Sequence, residues 1–356
     1  MKYLFIILIL GFFMTIQNTA LTKETNNPLL QKFVTPYGVP PFDKIKNEHF
    51  EPAFKEAIKK HEQEINAIVK NNKEPNFENT IEALEYSGEL LGIVSTIFYN
   101  LNSANTNKEM QAIAQKVAPE LSKHSDNVTL NKELFLRIKK VYDKKDKLNL
   151  NNEQKVLLEE TYRGFIRNGA GLDEEKQTRL RKINEDLSVL TLKFGENVLN
   201  ETNSYKLIID KKEDLAGLPK SLIDASAEAA ANAGLNGKWL FTLHNPSIMP
   251  FLQYADNRNL REKILLAYST RGNNNDEKDN KKIITDIVNL RLERAQLLGY
   301  KTYADFVLEE TMAKTPENVY KLLNQLWTPS LNVAKKEAGE LQKMIDKEGG
   351  NFKLQP

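Results

Sequence analysis

Residues 173–198 read DEEKQTRLRKINEDLSVLTLKFGENV, and the spacing of their apolar side chains sets the fold class. Leu180, Ile183, Leu187, Leu190, Phe194 and Val198 recur at three- and four-residue intervals, while Lys, Arg, Glu and Asp fill the other faces. A stripe of this length on one helix is buried only against another long helix. It therefore predicts an antiparallel or bundled partner, not a cofactor box.

The same period extends upstream. In NEHFEPAFKEAIKKHEQEINAIVKNN (47–72), Phe50, Phe54, Ala57, Ile58, His61, Ile65, Ile68 and Val69 share one helical face. Asn79 with Glu82 reads as a capping box before IEALEYSGELLGIVSTIFYNL. Further helices are expected from Asn107 to about Leu121, and over Glu133–Tyr142 and Asn152–Arg167, with RNGAGL (167–172) as a helix-to-helix turn. Downstream the period shortens. SYKLIID (204–210) and KWLFTLH (238–244) read as two strands flanking an Ala-rich helix that opens at Ser221 and stops at Gly234. Helices then return over Ile248–Ala255, Arg258–Tyr268, Lys281–Leu298 and Thr302–Glu309. A last one starts at Thr315-Pro316-Glu317, pauses near Thr328-Pro329 and runs to about Lys347. The fold class is mainly α with a small β element around 204–244. Lys144–Asn151 and Gly272–Asp279 are the two loops long enough to be linkers, and both read as surface connections between helices. EGGNFKLQP closes the sequence in a loop after a long helix, as a domain interrupted in mid-course would.

The 356 residues carry 50 Lys and Arg against 48 Asp and Glu, a formal charge of +2 with the signs interspersed. That balance gives no electrostatic reason to expect nucleic acid or an acidic membrane as partner. MKYLFIILILGFFMTIQNTA (1–20) has one lysine, an apolar run from Tyr3 to Ile16 and small residues up to Ala20, the layout of a signal peptide. Export to the periplasm or the outside is the expectation, with an uncleaved anchor as the alternative and no membrane contact beyond the leader. With no cysteine the chain forms no disulfide, thiolate metal site or lipidated cysteine, so core packing alone holds it.

HEQEI at 61–65 raises the question of a zinc site. Zincins place two histidines four residues apart around a glutamate, so that both imidazoles leave one helix face toward one metal. Here Ile65 stands where the second histidine belongs, and His49, His124 and His244 also lack a partner at that spacing. His61 reads as a structural histidine at the edge of the apolar stripe, and Glu120 with His124 as an ordinary surface contact. No G-x-S-x-G elbow, phosphate loop or dinucleotide fingerprint occurs. From the residues alone, this is an exported helical scaffold with no metal ligands and no catalytic centre.

Longer stretches carry more. PPFDKIKNEHFEPAF (40–54), PNFENTIEALE (75–85), the segment from Leu218 to Gly272 and RLERAQLLGYKTYADFVLEETMAKTPENVY (291–320) resemble the thimet-oligopeptidase-type zinc metallopeptidases. The resemblance is in particular to their bacterial peptidyl-dipeptidase Dcp branch, and it runs from about Asn27 to Pro356. It implies the helical N-terminal half of a channel-containing ellipsoid: a leader at 1–20, then one helical region at 21–356. It further implies dipeptide release from the C-termini of short peptides, by a zinc ion held by H-E-x-x-H and a downstream glutamate. No position here matches those ligands, so zinc belongs to the full-length family and none is expected in this chain alone. The chain alone is expected to be inactive, with short peptides and a separate C-terminal catalytic half as partners. Trp239, His244, Asn245, Pro246 and Tyr254 are the candidate substrate-channel residues. The alternative reading is a non-catalytic peptide-binding or interaction protein derived from the same family.

Overall fold

The computed structural model describes residues 27–355, and the signal-peptide expectation at 1–20 lies outside them. The described chain divides into two compact units, the first ending at Asn289 and the second beginning at Leu290.

In the first unit, helix α1 (Phe50–Val69) is long enough to feed two separate cores. Its first half packs Phe50 and Phe54 against Phe98 of α2 (Glu89–Ala104), with ring centroids 5.0 and 5.4 Å apart in edge-on geometry. Met110, Ile113 and Val117 of α3 (Lys108–Thr129) complete that cluster. The second half, through Ile65 and Ile68, joins Leu134 and Ile138 of α4 (Lys132–Tyr142) and Leu158 and Phe165 of α5 (Asn152–Arg167). His61 falls between the two cores, where the apolar stripe is interrupted.

The opening stretch forms α6 (Glu174–Ser204), capped by the Asp173 carboxylate on the Lys176 amide. The long helical partner that its stripe calls for is α3, and the pairing is antiparallel: Arg181 bonds Asn127, Asn184 bonds Asp126 and Gln115 bonds Glu196. The stripe holds for Leu180 and Ile183, which are fully buried, and then departs from expectation. Phe194 stays 36% exposed, while Glu196 and Asn197 are buried in its place. Gln115 donates to Glu196 Oε2 at 2.8 Å and Asn197 to Asn280 at 2.9 Å, so polar contacts replace the apolar seam at this end, with Glu196 Oε1 left buried without a partner.

The β element is a two-stranded antiparallel sheet, β1 (Leu207–Ile209) and β2 (Trp239–Phe241), in the register Leu207 to Phe241 and Ile209 to Trp239. Helix α7 (Lys220–Asn232) connects the strands. Leu207, Ile209 and Phe241 form a third core with α8 (Asn245–Tyr254) and α9 (Arg258–Ser269). Helix α10 (Lys281–Leu297) contains the boundary between the units.

In the second unit, α11 (Tyr303–Leu308) opens with a capping box in which Thr302 and Asp305 bond each other's amides. Tyr300 and Tyr303 pack around Phe306, and Arg291 and Arg294 lie over those rings. Helix α12 (Pro316–Lys347) begins at the expected Thr315 cap.

Four local expectations are corrected. The Asn79 capping box lies three residues earlier, where Asn76 caps Asn79 and opens a wide π-type turn, Phe77–Glu82. The helix expected to end near Leu121 continues to Thr129, and its last turns are met by α6, with Arg181 on Asn127 and Asn184 on Asp126. The pause at Thr328-Pro329 does not occur: Pro329 lies inside a continuous α12, where it removes one backbone donor without ending the helix. Finally, His124 is no surface partner of Glu120 but a core residue, 4% exposed.

Candidate functional site

Two sets of side chains carry chemistry beyond packing. The first is the corner between β2 and α8. Phe241 and Phe251 meet with ring centroids 4.6 Å apart, and Ile248 is buried beside them, which forces the chain between strand and helix to turn sharply at the surface. Pro246 fits there because the first helical turn needs no amide donor. Ser247 Oγ accepts from the Thr242 amide at 3.0 Å and closes the turn.

His244 stands exposed at this corner with both ring nitrogens engaged. Nε2 lies 3.0 Å from Asn203 Oδ1, and Nδ1 lies 3.0 Å from Thr242 Oγ1. An amide oxygen only accepts, so Nε2 carries the proton and the Thr242 hydroxyl donates to Nδ1. Asn245 and Pro246 follow it, both exposed. Of the five residues singled out from sequence, His244, Asn245 and Pro246 therefore come together. Trp239 is half-buried at the start of β2, and Tyr254 is exposed at the far end of α8. Asn203 and Thr242, which hold the imidazole, were not found from sequence. Thr242 lies two residues from His244, but Asn203 is distant and no local signal marks it.

The second set was missed as a group. His61 on α1 and His124 on α3 face each other, with Nδ1 of His61 2.9 Å from Nε2 of His124. His61 Nε2 lies 3.2 Å from Ser87 Oγ, and that hydroxyl donates to the Leu84 carbonyl at 2.7 Å. His124 Nδ1 is buried without a hydrogen-bond partner, and the nearest carboxylate oxygen, Glu62 Oε1, stands 3.8 Å away, outside hydrogen-bond reach. Gly88 closes the far side of His61 in a left-handed conformation, its amide bonded to Glu64 Oε2 at 2.8 Å. Burial holds both imidazoles below their ordinary value, and the His124 charge adds to the effect on His61.

These residues do not fit a zinc centre. The two inward nitrogens are used on each other, and among the described residues no group of three His, Asp or Glu could hold a metal ion.

The second unit contributes a surface. None of the α12 side chains is buried, and Tyr320, Leu323, Leu326, Trp327 and Val333 expose large apolar groups along it. Among the described residues no helix is long and apolar enough to cross a membrane.

Comparison with known proteins shows what this sequence is similar to. A sequence model of the Neurolysin/Thimet oligopeptidase N-terminal domain matches residues 54–177, and one of Peptidase family M3 matches residues 251–356. Dipeptidyl carboxypeptidase of Escherichia coli (strain K12) is 36% identical over 332 residues, covering 93% of this chain and 49% of the relative. Oligopeptidase A of Haemophilus influenzae is 35% identical over 337 residues, covering 93% and 48%. Organellar oligopeptidase A of Arabidopsis thaliana is 32% identical over 331 residues, covering 91% and 41%. The chain spans about half the length of the curated relatives it matches.

Proposed function

The chain belongs to peptidase family M3, and from that premise we propose that it supplies the N-terminal, substrate-side portion of an exported peptidyl-dipeptidase acting on short peptides. The observation that carries this reading is the pair of family matches, in order along one chain, within an alignment covering 93% of it. In this proposal the corner at His244, Asn245 and Pro246 lines the peptide path, with Trp239 and Tyr254 extending it. Both ring nitrogens of His244 are tied to Asn203 and Thr242, so the ring is held in one orientation and presents its exposed face to the path. The apolar face of α12 receives the zinc-bearing portion of the enzyme. Zinc belongs to that portion, because H-E-x-x-H occurs nowhere in these 356 residues. The leader at 1–20 supports export, which fractionation of the expressing cell would test.

The purified chain alone is expected to release no dipeptide from a peptide with a free C-terminus. Adding the separately produced second half of a related dipeptidyl carboxypeptidase should give chelator-sensitive release. Chelator-sensitive hydrolysis by the chain alone would refute the proposal. Peptide binding without rescue by the second half would move the assignment to a non-catalytic peptide-binding protein.

A further inference from the structure

The proton count of the His61–His124 pair leads to a property unrelated to peptide cleavage. Ser87 has one hydroxyl proton, and it is spent on the Leu84 carbonyl. Ser87 Oγ must then accept from His61 Nε2, which leaves His61 Nδ1 as the acceptor and His124 Nε2 as the donor across the 2.9 Å contact. In the neutral pair this assigns every ring proton and leaves one bare nitrogen, His124 Nδ1, which is the buried atom without a partner.

A first proton has one place to go, His124 Nδ1. The Glu62 side chain is half exposed and 3.8 Å away, so a small rotation would bring its carboxylate onto the new N–H. The chain of bonds would then run unbroken from Glu62 through both rings to Ser87 and Leu84. A second proton can enter only at His61 Nδ1, against the N–H already donated by His124. Two like-charged donors cannot remain 2.9 Å apart with burial on both sides, so the contact breaks. The charges that act on the pair are Glu62 and Glu64, both from α1; α3 adds only His124 itself, and the 86–88 turn adds the Ser87 hydroxyl and the Gly88 amide. Neither carboxylate reaches His61 Nδ1, which faces His124.

We propose that the His61–His124 contact is an acid-released latch, tying α1 to α3 and to the 86–88 turn while the pair carries at most one proton. The sign follows from the burial. Both imidazoles are held below 6.5, so the unfolded chain binds these protons more readily than the folded one. The latch contributes fully above pH 6.5, and its contribution falls as pH drops below that value through the lowered folded-state values.

The test is an NMR titration of the purified chain carrying ¹⁵N-labelled histidine, where only four imidazoles contribute signals. His124 is expected to protonate first and His61 second, both below 6.5. Between the first step and the second, amide protection near His61 and His124 should fall by about tenfold per pH unit, the slope for opening coupled to one proton. His61→Gln keeps an acceptor for His124 and a donor for Ser87 but cannot take the second charge, so its protection should not change with pH in that range. One joint titration step at the ordinary histidine value would overturn the latch. So would two rings that stay neutral until the whole chain unfolds in acid, or protection that falls equally in His61→Gln. The wild-type titration decides the matter even if that variant does not fold.

Discussion

Gly88 shows how much a single position controls. Its φ of +77° is one that residues with a Cβ rarely adopt, and a Cβ added there would lie 3.0 to 3.1 Å from three ring atoms of His61. Gly88→Ala therefore combines backbone strain with a push on an imidazole whose two nitrogens are already committed. We expect a loss of roughly 1–3 kcal/mol in urea-unfolding stability, together with movement of the His61 and His124 resonances. An unchanged midpoint and unchanged resonances would mean that the turn does not pin the ring. At this scale the sequence was half informative. The three- and four-residue spacing placed His61 at the edge of the α1 stripe, where it is found. Nothing local to KHSDN marked His124 as buried, because its burial comes from α1 crossing over it.

Helix α6 makes the same point over a longer stretch. Leu180 and Phe194 belong to one sequence stripe, yet Leu180 is 1% exposed and Phe194 is 36% exposed. Leu180→Ala should cost about 2–5 kcal/mol through lost burial and the cavity left behind. Phe194→Ala should cost about 1 kcal/mol or less, as for an exposed position. Guanidinium midpoints of the two variants check this, and equal losses would contradict the packing described. Helix starts were legible where a side chain could cap them: Asp173 and Thr315 cap the helices read from sequence, and the Asn152–Arg167 helix falls on its expected bounds. The capping box read at Asn79 failed because Asn76 offers the same oxygen three residues earlier. At Thr328-Pro329 the proline rule failed, since α12 runs through Pro329 without a break.

For the whole molecule, the telling surface is α12. Leu323 is 50% and Trp327 64% exposed on a helix with no buried residue. The doubly substituted Leu323→Glu, Trp327→Glu chain should bind less of a hydrophobic dye and fail to be rescued by the second half of the peptidase. Its melting temperature should stay within a few degrees of the parent, since neither side chain is packed. Full rescue by the doubly substituted chain would show that the second half docks elsewhere. The residues proposed to line the peptide path show how far the sequence could reach. His244, Asn245 and Pro246 are consecutive and necessarily stay together, while Trp239 and Tyr254 are separated by a strand, a turn and a helix.

The sequence by itself determined the helices, the position of the small two-stranded sheet, the family and the lack of H-E-x-x-H in these 356 residues, because periodicity, capping and motif spacing are local properties of the chain. Only the tertiary structure decided which polar groups go inside: His124 against His61, Glu196 against Gln115, Asn197 against Asn280. Each of those pairs joins residues more than sixty positions apart. A buried polar group is affordable only when its partner is there, and that partner is set by how the helices cross.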